Sequence, residues 1–271
     1  MLFCAGVLFF AASASTALAR TAGHITAAKV HGTVMAIHKA DNTSRPLQNG
    51  STLTEGYIVT TAKNSGVVLI FANGAAVNLA AESTLSIDEF LMDPFDPKYS
   101  AATSKDEPST SVTTMSLVRG EMIGNVKHLH RESGSSFTIN TPVGAAGIRG
   151  TTFQFTLGTD SAGKMFARFS TAEGLVSVVP LDGLERLVPA GKDVSASFDG
   201  KVDPVTGAVT VVPGSLAVSG LEDLTAEQQA TIARAMEDIL SANAANINPG
   251  SAPNAVPPPV NTTPGDGKGG G

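Results

Sequence analysis

The chain has 271 residues, and its 18 basic and 24 acidic side chains give a net charge of −6 at pH 7. This length suffices for one sizeable core, and the acidic balance argues against a nucleic-acid partner, because no basic run is long enough to neutralise a phosphate backbone. Tryptophan is absent and the only tyrosines are Tyr57 and Tyr99, so the rings on which sugars usually stack are scarce.

The first nineteen residues carry no charge and are predicted to form a secretory signal peptide, residues 1–19. Leu2 to Phe10 is a short apolar run, and Ala17-Leu18-Ala19 has the small-x-small pattern of a cleavage site. A buried N-terminal helix is the alternative. Cleavage would give a periplasmic or secreted chain that begins at Arg20.

Cysteine usage and hydropathy limit the mature chain further. The only cysteine is Cys4, inside the predicted signal peptide, so disulfide and thiol chemistry are excluded from the exported chain. No later stretch reaches the roughly eighteen uncharged apolar residues that span a bilayer. We therefore expect no transmembrane helix in the mature chain.

Residues 25–213 show the pattern of short β-strands. Val67 to Phe71 is a continuous apolar run that ends before Asn73-Gly74, a strong signal for a tight turn. Further along, apolar residues such as Leu85 and Ile87 alternate with polar or small ones, which is the period of a strand with one buried face. The sequence predicts a single all-β domain of short strands.

Residues 88–112 interrupt this pattern. Asp93-Pro94-Phe95-Asp96-Pro97 and the Ser/Thr/Ala stretch that follows have the composition of a loop. So long an insertion in a compact domain is either functional or mobile and structural, and the second interpretation is favoured. Asp93 and Asp96 lack the further carboxylates of a calcium loop.

Two other motifs could suggest chemistry but do not support it. His128-x-His130 has no cysteine or acidic partner at a telling distance, so a solvated loop is favoured over a metal site. Gly144, Gly147 and Gly150 have the wrong spacing for a dinucleotide loop, and a strand pattern follows instead of a helix. No nucleophile elbow occurs. The sequence predicts no catalytic residues, no metal and no cofactor, and therefore no enzyme.

The most informative segment runs from residue 139 to residue 151, and we call it the signature segment. Ile139-Asn140-Thr141-Pro142, followed by Ile148-Arg149-Gly150-Thr151, resembles the signature of the FecR domain, an extracytoplasmic module of bacterial signalling proteins. The resemblance covers roughly residues 30–195, because other motifs follow in the family's order: Gly50 to Thr61, Ser65 to Gly74, Leu117 to Met122 and Glu173 to Val178.

This resemblance implies a fold and a set of structural residues. FecR-like domains are expected to wind as a solenoid-like roll, although a sandwich would give the same alternation. The signature segment is expected to interrupt the backbone between two strands. The residues themselves suggest a role for Arg149: its small, uncharged neighbours leave room for the side chain to fold back on the main chain. Arg149 is therefore expected to be buried, with its donors spent on main-chain carbonyls and on Glu121 or Glu173; its alternative role is to present an anion-binding point. The residues with a predicted structural role are Thr141, Pro142, Gly147, Arg149, Gly150 and Thr151.

The chain is predicted to end in one helix and a tail. Within the segment 214–245, Thr225 and Gln228 form a capping box, and a helix over 225–243 has the apolar stripe Ile232, Met236, Ile239 and Leu240. This helix is expected to pack on the β-domain, with partner docking as the alternative. Residues 246–271 are rich in proline and glycine and are predicted to be disordered.

Taken with the resemblance, these features predict a non-enzymatic, exported FecR-like protein that binds a protein or a cell-envelope component in envelope signalling or sensing. The alternative is an envelope-structural or glycan-binding display protein. The better-known FecR regulators carry a cytoplasmic segment and a membrane helix ahead of the domain, and neither is seen here. Their anti-sigma role is therefore not transferred to this chain.

Overall fold

The computed structural model describes residues 20–96, 98–203 and 207–245. The predicted signal peptide and the predicted disordered tail lie outside these residues. The first ten strands are β1 (Thr21–Ala22), β2 (Ile25–His31), β3 (Val34–His38), β4 (Ser44–Pro46), β5 (Thr52–Leu53), β6 (Tyr57–Thr61), β7 (Gly66–Phe71), β8 (Ala76–Leu79), β9 (Thr84–Met92) and β10 (Ser111–Asn125). The later elements are a 3-10 turn (Arg131–Ser133), β11 (Ser136–Thr141), β12 (Gly144–Ile148), β13 (Thr152–Thr159), β14 (Met165–Glu173), β15 (Leu175–Pro180), β16 (Arg186–Pro189), β17 (Lys192–Phe198), β18 (Gly200–Val202), β19 (Val209–Val211), β20 (Ala217–Val218), β21 (Glu222–Asp223) and α1 (Ala226–Ala245).

The larger strands pair into two sheets that share β10. Sheet 1 has the order β4-β3-β6-β9-β10-β11-β12-β15-β16, with β1 on the end of β9. Sheet 2 has the order β5-β2-β7-β8-β10-β13-β14-β17, with β20 and β21 along the outer edge of β17. The first part of β10 belongs to sheet 1 and the part from Gly120 belongs to sheet 2, and the positive φ of Gly120 (+89°) turns the strand between them.

The main core lies between the two sheets. Phe71 of sheet 2 meets Phe90 of sheet 1 edge to face at 5.2 Å between ring centroids, and it also contacts Phe137 at 6.3 Å. These contacts join the inner faces of both sheets into one buried cluster. The predicted all-β class is therefore confirmed. Among the described pairings of these two sheets only β10 with β11 is parallel.

Helix α1 covers the outer face of sheet 2. Ile239 and Ala242 pack on Val68 and Ile70 of β7, so this strand is buried on both faces, and this double burial accounts for its uninterrupted apolar sequence. The predicted C-terminal helix and its packing on the β-domain are confirmed. None of the described helices has the length and apolar character needed to cross a membrane.

The capping box at the start of α1 is confirmed, but one residue of the predicted apolar stripe is wrong. The Thr225 hydroxyl accepts a bond from the Gln228 amide at 3.2 Å, and the Gln228 side chain accepts one from the Thr225 amide at 2.7 Å. Leu240 is 60 % exposed. The buried face instead uses small residues, Ala235 and Ala242, because the helix lies close to the sheet.

A buried carboxyl group lies next to this helix start. Asp193 on β17 is 4 % exposed, and its nearest cation is Arg168, with Nε and Oδ2 3.4 Å apart. Gln228 anchors the helix nearby by donating to the Ser170 hydroxyl at 3.2 Å. Burial raises the pKa of Asp193 above its ordinary value of 3.8, against the opposing effect of Arg168, and Glu222 adds to the increase.

This raised pKa predicts a specific dependence of stability on pH. The folded state favours the neutral carboxyl, so the contribution of Asp193 is largest below pH 3.8 and is lost as the pH rises through the higher folded pKa. The free energy of unfolding of Asp193→Asn minus that of wild type should therefore be more positive at pH 7 than at pH 3.5. Urea denaturation of both proteins at these two pH values measures the difference. If this difference becomes more negative as the pH rises, ionised Asp193 is instead stabilising.

Candidate functional site

The signature segment begins with a tight turn between β11 and β12. The Thr141 hydroxyl donates to the Gly144 carbonyl at 2.9 Å and accepts from the Val143 amide at 3.3 Å, and Pro142 occupies the turn. These bonds connect the ends of the hairpin through one side chain. Thr141 thus closes the turn that Pro142 occupies.

The middle of the signature segment is a strand, which corrects the predicted interruption between two strands. Gly144–Ile148 forms β12, paired with β11 on one side and β15 on the other. Its residues are small and have low intrinsic strand preference, so the two neighbouring strands determine its conformation. Ala146 and Ile148 face the core, whereas Gly147 lies on the outer face of sheet 1.

The segment ends where the chain crosses from sheet 1 to sheet 2. Gly150 has φ +78°, and a Cβ atom there would lie 2.5 Å from Cδ2 of His128. The Val126 amide donates to the Thr151 carbonyl at 2.9 Å. Gly174 packs against Gly150 and Thr151, and a Cβ atom added to it would lie 2.6 Å from the Gly150 carbonyl oxygen. The signature segment and the later Glu173-Gly174 motif are thus one packed crossover.

Arg149 does not have the predicted buried, architectural position. Its side chain is exposed, and among the described residues it makes no hydrogen bond or ion pair. The two acidic residues expected to pair with it bond elsewhere: Glu121 accepts from Thr156 at 3.3 Å and Glu173 from Thr152 at 3.2 Å. Strand alternation explains the error, because Ile148 faces the core and the next residue must point outward. Its alternative role, an anion-binding point, stays a prediction.

The position of Arg149 changes the expected effect of its removal. Arg149→Ala should alter the free energy of unfolding by less than about 0.5 kcal/mol, as is usual for an exposed side chain. Chemical denaturation of wild type and variant measures this difference. A loss of 2 kcal/mol or more, about the size expected for a buried hydrogen-bonded arginine, would show that the guanidinium is buried after all.

The two halves of the signature segment do not form one site. Five residues of β12 separate the Thr141-Pro142 turn from the Arg149-Gly150-Thr151 crossover, a distance of about 16 Å at 3.3 Å per strand residue. The turn lies beside the end of β15, because the Leu181 amide bonds to the Val143 carbonyl at 2.8 Å. The crossover lies beside the loop that follows β10.

A polar cleft of about 310 Å³ opens at the crossover, between Lys105, Lys127, His128 and Glu173. Lys127 donates to the Ser104 carbonyl at 2.8 Å, and burial lowers its pKa. His128 lies 3.4 Å from a carboxylate oxygen of Asp106. The cleft carries both signs of charge, and the described residues contain no group of three metal-ligating side chains. The arrangement is that of a polar surface.

The insertion after β9 is shorter than predicted and is folded onto the domain. β9 extends to Met92 and β10 starts at Ser111. Asp88 forms a β-bulge, because its neighbours Ile87 and Glu89 pair with the consecutive residues Met115 and Thr114. The bulge lets Asp88 point outward and pair with Lys39 at 2.6 Å, while Phe90 beyond it is buried and the strand continues. Asp96 accepts a bond from the Lys98 amide at 2.8 Å, which is a structural role.

A buried carboxylate helps to attach the insertion, in addition to main-chain bonds from the Glu107 amide to the His128 carbonyl and from the His128 amide to the Lys105 carbonyl. Glu107 is 3 % exposed; it accepts a bond from the Ser111 hydroxyl at 2.6 Å and one from the His130 amide at 2.6 Å. The ring of Tyr99 packs edge to face on Phe95 at 5.9 Å, and burial raises the pKa of its hydroxyl to about 12. These contacts support the structural interpretation of the insertion.

Sequence reasoning missed a group of exposed apolar residues beside the signature turn, on the hairpin of β15 and β16. Leu181 and Leu184 flank the turn residues Asp182-Gly183 and are 61 % and 64 % exposed. The signal was available, since leucines on both sides of an Asp-Gly turn place apolar side chains where turns are normally polar.

Residues 57–177 match the sequence model of the family described as FecR protein. Two crystal structures of a "putative anti-sigma factor" from Parabacteroides distasonis ATCC 8503, at 2.50 and 1.65 Å resolution, are similar to the chain. Each has a TM-score of 0.40 and 13% sequence identity, and the alignment covers 64% of this chain and 62% of that chain. The match thus spans less than two thirds of that protein. No curated protein matches the sequence.

Proposed function

Residues 57–177 form a FecR domain, and from this premise we propose that the protein is an exported, non-enzymatic module that acts in envelope signalling or sensing by binding a protein partner. The family match carries the proposal. It extends from β6 into the first half of β15 and therefore includes the turn, the strand and the crossover of the signature segment.

The roles of the signature residues support binding over catalysis. Thr141 closes a turn, Gly150 and Gly174 permit close packing, and Thr151 is buried in the crossover. Each of these residues shapes the scaffold. The acidic residues nearest to them, Glu121 and Glu173, accept bonds from threonine hydroxyls on neighbouring strands.

The tyrosines are engaged in the fold, which favours a protein partner over a glycan. Tyr57 lies under the Arg45 guanidinium, 5.6 Å from its ring centre, and against His38 at 4.9 Å. Tyr99 packs on Phe95 inside the insertion. Neither ring offers the free face on which a sugar stacks.

Export rests on the sequence of residues 1–19, and it is tested directly. The protein recovered from the native cell should lie outside the cytoplasm and begin at Arg20. N-terminal sequencing and cell fractionation measure both. A chain that retains its first residues and is found only in the cytosol would contradict export.

The signalling role is tested by RNA sequencing of a deletion strain. We expect a small, defined set of transcripts to change and to be restored by the full chain but not by a chain lacking residues 2–19, which stays in the cytoplasm. A loss of envelope integrity with no such set of transcripts would support a structural role and contradict signalling.

A further inference from the structure

The β15–β16 hairpin exposes four large apolar side chains within nine residues. Val179, Leu181, Leu184 and Leu187 are 40 %, 61 %, 64 % and 50 % exposed. Together they leave on the order of 300–400 Å² of apolar surface in contact with water, the size at which a single patch on a monomer is often functional. We call these four residues the hairpin patch. It begins two residues after the FecR match ends.

The turn that carries the patch is held rigid by its own charges. The two terminal nitrogens of Arg186 donate to the two carboxylate oxygens of Asp182 at 3.0 and 2.7 Å, and Asp182 also accepts from the Leu184 amide at 3.0 Å. Glu185 accepts from the Ser177 hydroxyl at 2.5 Å. The leucines are therefore presented by a preorganised turn, which lowers the entropy lost on binding.

The edge of β16 is open next to the patch. The Leu181 amide donates to the Val143 carbonyl, which lies just before β12. The odd-numbered residues of β15 therefore direct their backbone N–H and C=O groups to β12, and the even-numbered residues direct theirs to β16. Val176 and Val178 pair with Val188 and Arg186. The intervening Leu187 therefore points its N–H and C=O away from the sheet, and no other described strand pairs with β16.

We propose that the hairpin patch and the edge of β16 form the docking surface for an extended apolar segment of a partner protein, which adds a strand beside Leu187 and covers Leu181 and Leu184. This inference rests on the proposed partner-binding function and assigns its surface. Backbone bonds along the edge would supply affinity, and pockets for alternate side chains would supply specificity.

The charge of the surface favours this occupant. The hairpin carries Asp182, Glu185 and Arg186, a net charge of −1, whereas attachment to anionic lipid requires a basic surface. A second copy is also disfavoured, because pairing two β16 edges would bring together two hairpins that each carry a net charge of −1.

The surface is tested by photo-crosslinking in the native cell. The full chain carries a benzophenone side chain at position 184, or at position 240 as a control, because Leu240 is similarly exposed at 60 % but lies on α1. Position 184 should give one protein adduct, mapped by mass spectrometry to an apolar extended segment, and position 240 should not.

Matched variants then measure affinity for the crosslinked protein in purified form. Leu184→Glu should weaken binding at least about tenfold, the size expected of a central apolar anchor, whereas Leu240→Glu should change it less than about twofold, because its side chain lies outside the patch. Leu187→Pro removes the outward N–H and should weaken binding more than Leu187→Ala. Unchanged melting temperatures confirm that the variants are folded.

Several results would overturn this assignment. An adduct at position 184 with a second copy or with lipid alone would replace the proposed occupant. Protein adducts at position 240 but none at 184 would show that the partner binds on α1 and not on the hairpin patch, while the proposed partner-binding function would stand. The absence of any protein adduct at either position, together with unchanged transcripts in the deletion strain, would contradict both the docking surface and the proposed function.

Discussion

Gly144→Ala is expected to lower the free energy of unfolding by about 3–5 kcal/mol, the sum of a strained backbone and an unrelieved overlap. Gly144 has φ +146°, a conformation that residues with a Cβ rarely adopt. An added Cβ would overlap the Val179 carbonyl oxygen and lie 2.5 Å from Cα of Pro180. Both are backbone atoms of β15 and cannot rotate away.

Gly147→Ala is the matched control, since it lies on the same strand. A Cβ at Gly147 would meet nothing closer than the Ser177 carbonyl oxygen at 4.0 Å, so its effect should stay within about 0.5 kcal/mol. Urea denaturation of the two variants compares them directly. Equal stability of Gly144→Ala and Gly147→Ala would contradict the close approach of β12 and β15 at the signature turn.

Glu107→Ala is expected to lower the free energy of unfolding by about 3 kcal/mol, because one buried and one part-buried donor lose their acceptor. These donors are the Ser111 hydroxyl and the His130 amide, each 2.6 Å from the carboxylate. The loss should also release the insertion, which is visible as faster hydrogen exchange between residues 98 and 110. Chemical denaturation and hydrogen exchange measure the two effects.

Two controls separate this bond network from a general effect of charge. Glu107→Gln keeps one acceptor and should cost less than Glu107→Ala. Glu132→Ala removes an exposed carboxylate from the nearby 3-10 turn and should change stability by less than about 0.5 kcal/mol. A Glu107→Ala variant as stable as Glu132→Ala would show that the insertion is attached by other contacts.

The sequence allowed the strand content and the C-terminal helix to be predicted, because both leave a periodic pattern of apolar residues. The alternation around Leu85 and Ile87 and the Thr225–Gln228 capping box are local signals. β12 was missed because its glycines and alanines become a strand only between β11 and β15. Their tertiary pairing is not visible in composition.

The signature segment was recognised, but its geometry was only partly predicted. Thr141 closes a turn and Gly150 permits a close approach of the chain, whereas Arg149 is exposed. The small residues around Arg149 were interpreted as room for the side chain to fold back. The alternation that begins with the buried Ile148 was the better guide, since it places the next side chain in solvent.

Two features could not have been read from local sequence. Glu107 is separated from His130 by a complete strand, so its bond appears only when the insertion folds back. The hairpin patch depends on the Arg186–Asp182 pair and on the open edge of β16, and only the unusual leucines of the turn give a hint of it.

The central claim, that this protein acts by binding another protein outside the cytoplasm, is tested most directly by chemical crosslinking of the unmodified chain in its native cell, followed by mass spectrometry. We predict crosslinks to one protein partner, concentrated at Asp182 and Glu185 of the hairpin. Crosslinks restricted to cell-wall material, with no protein partner at any position, would contradict the claim.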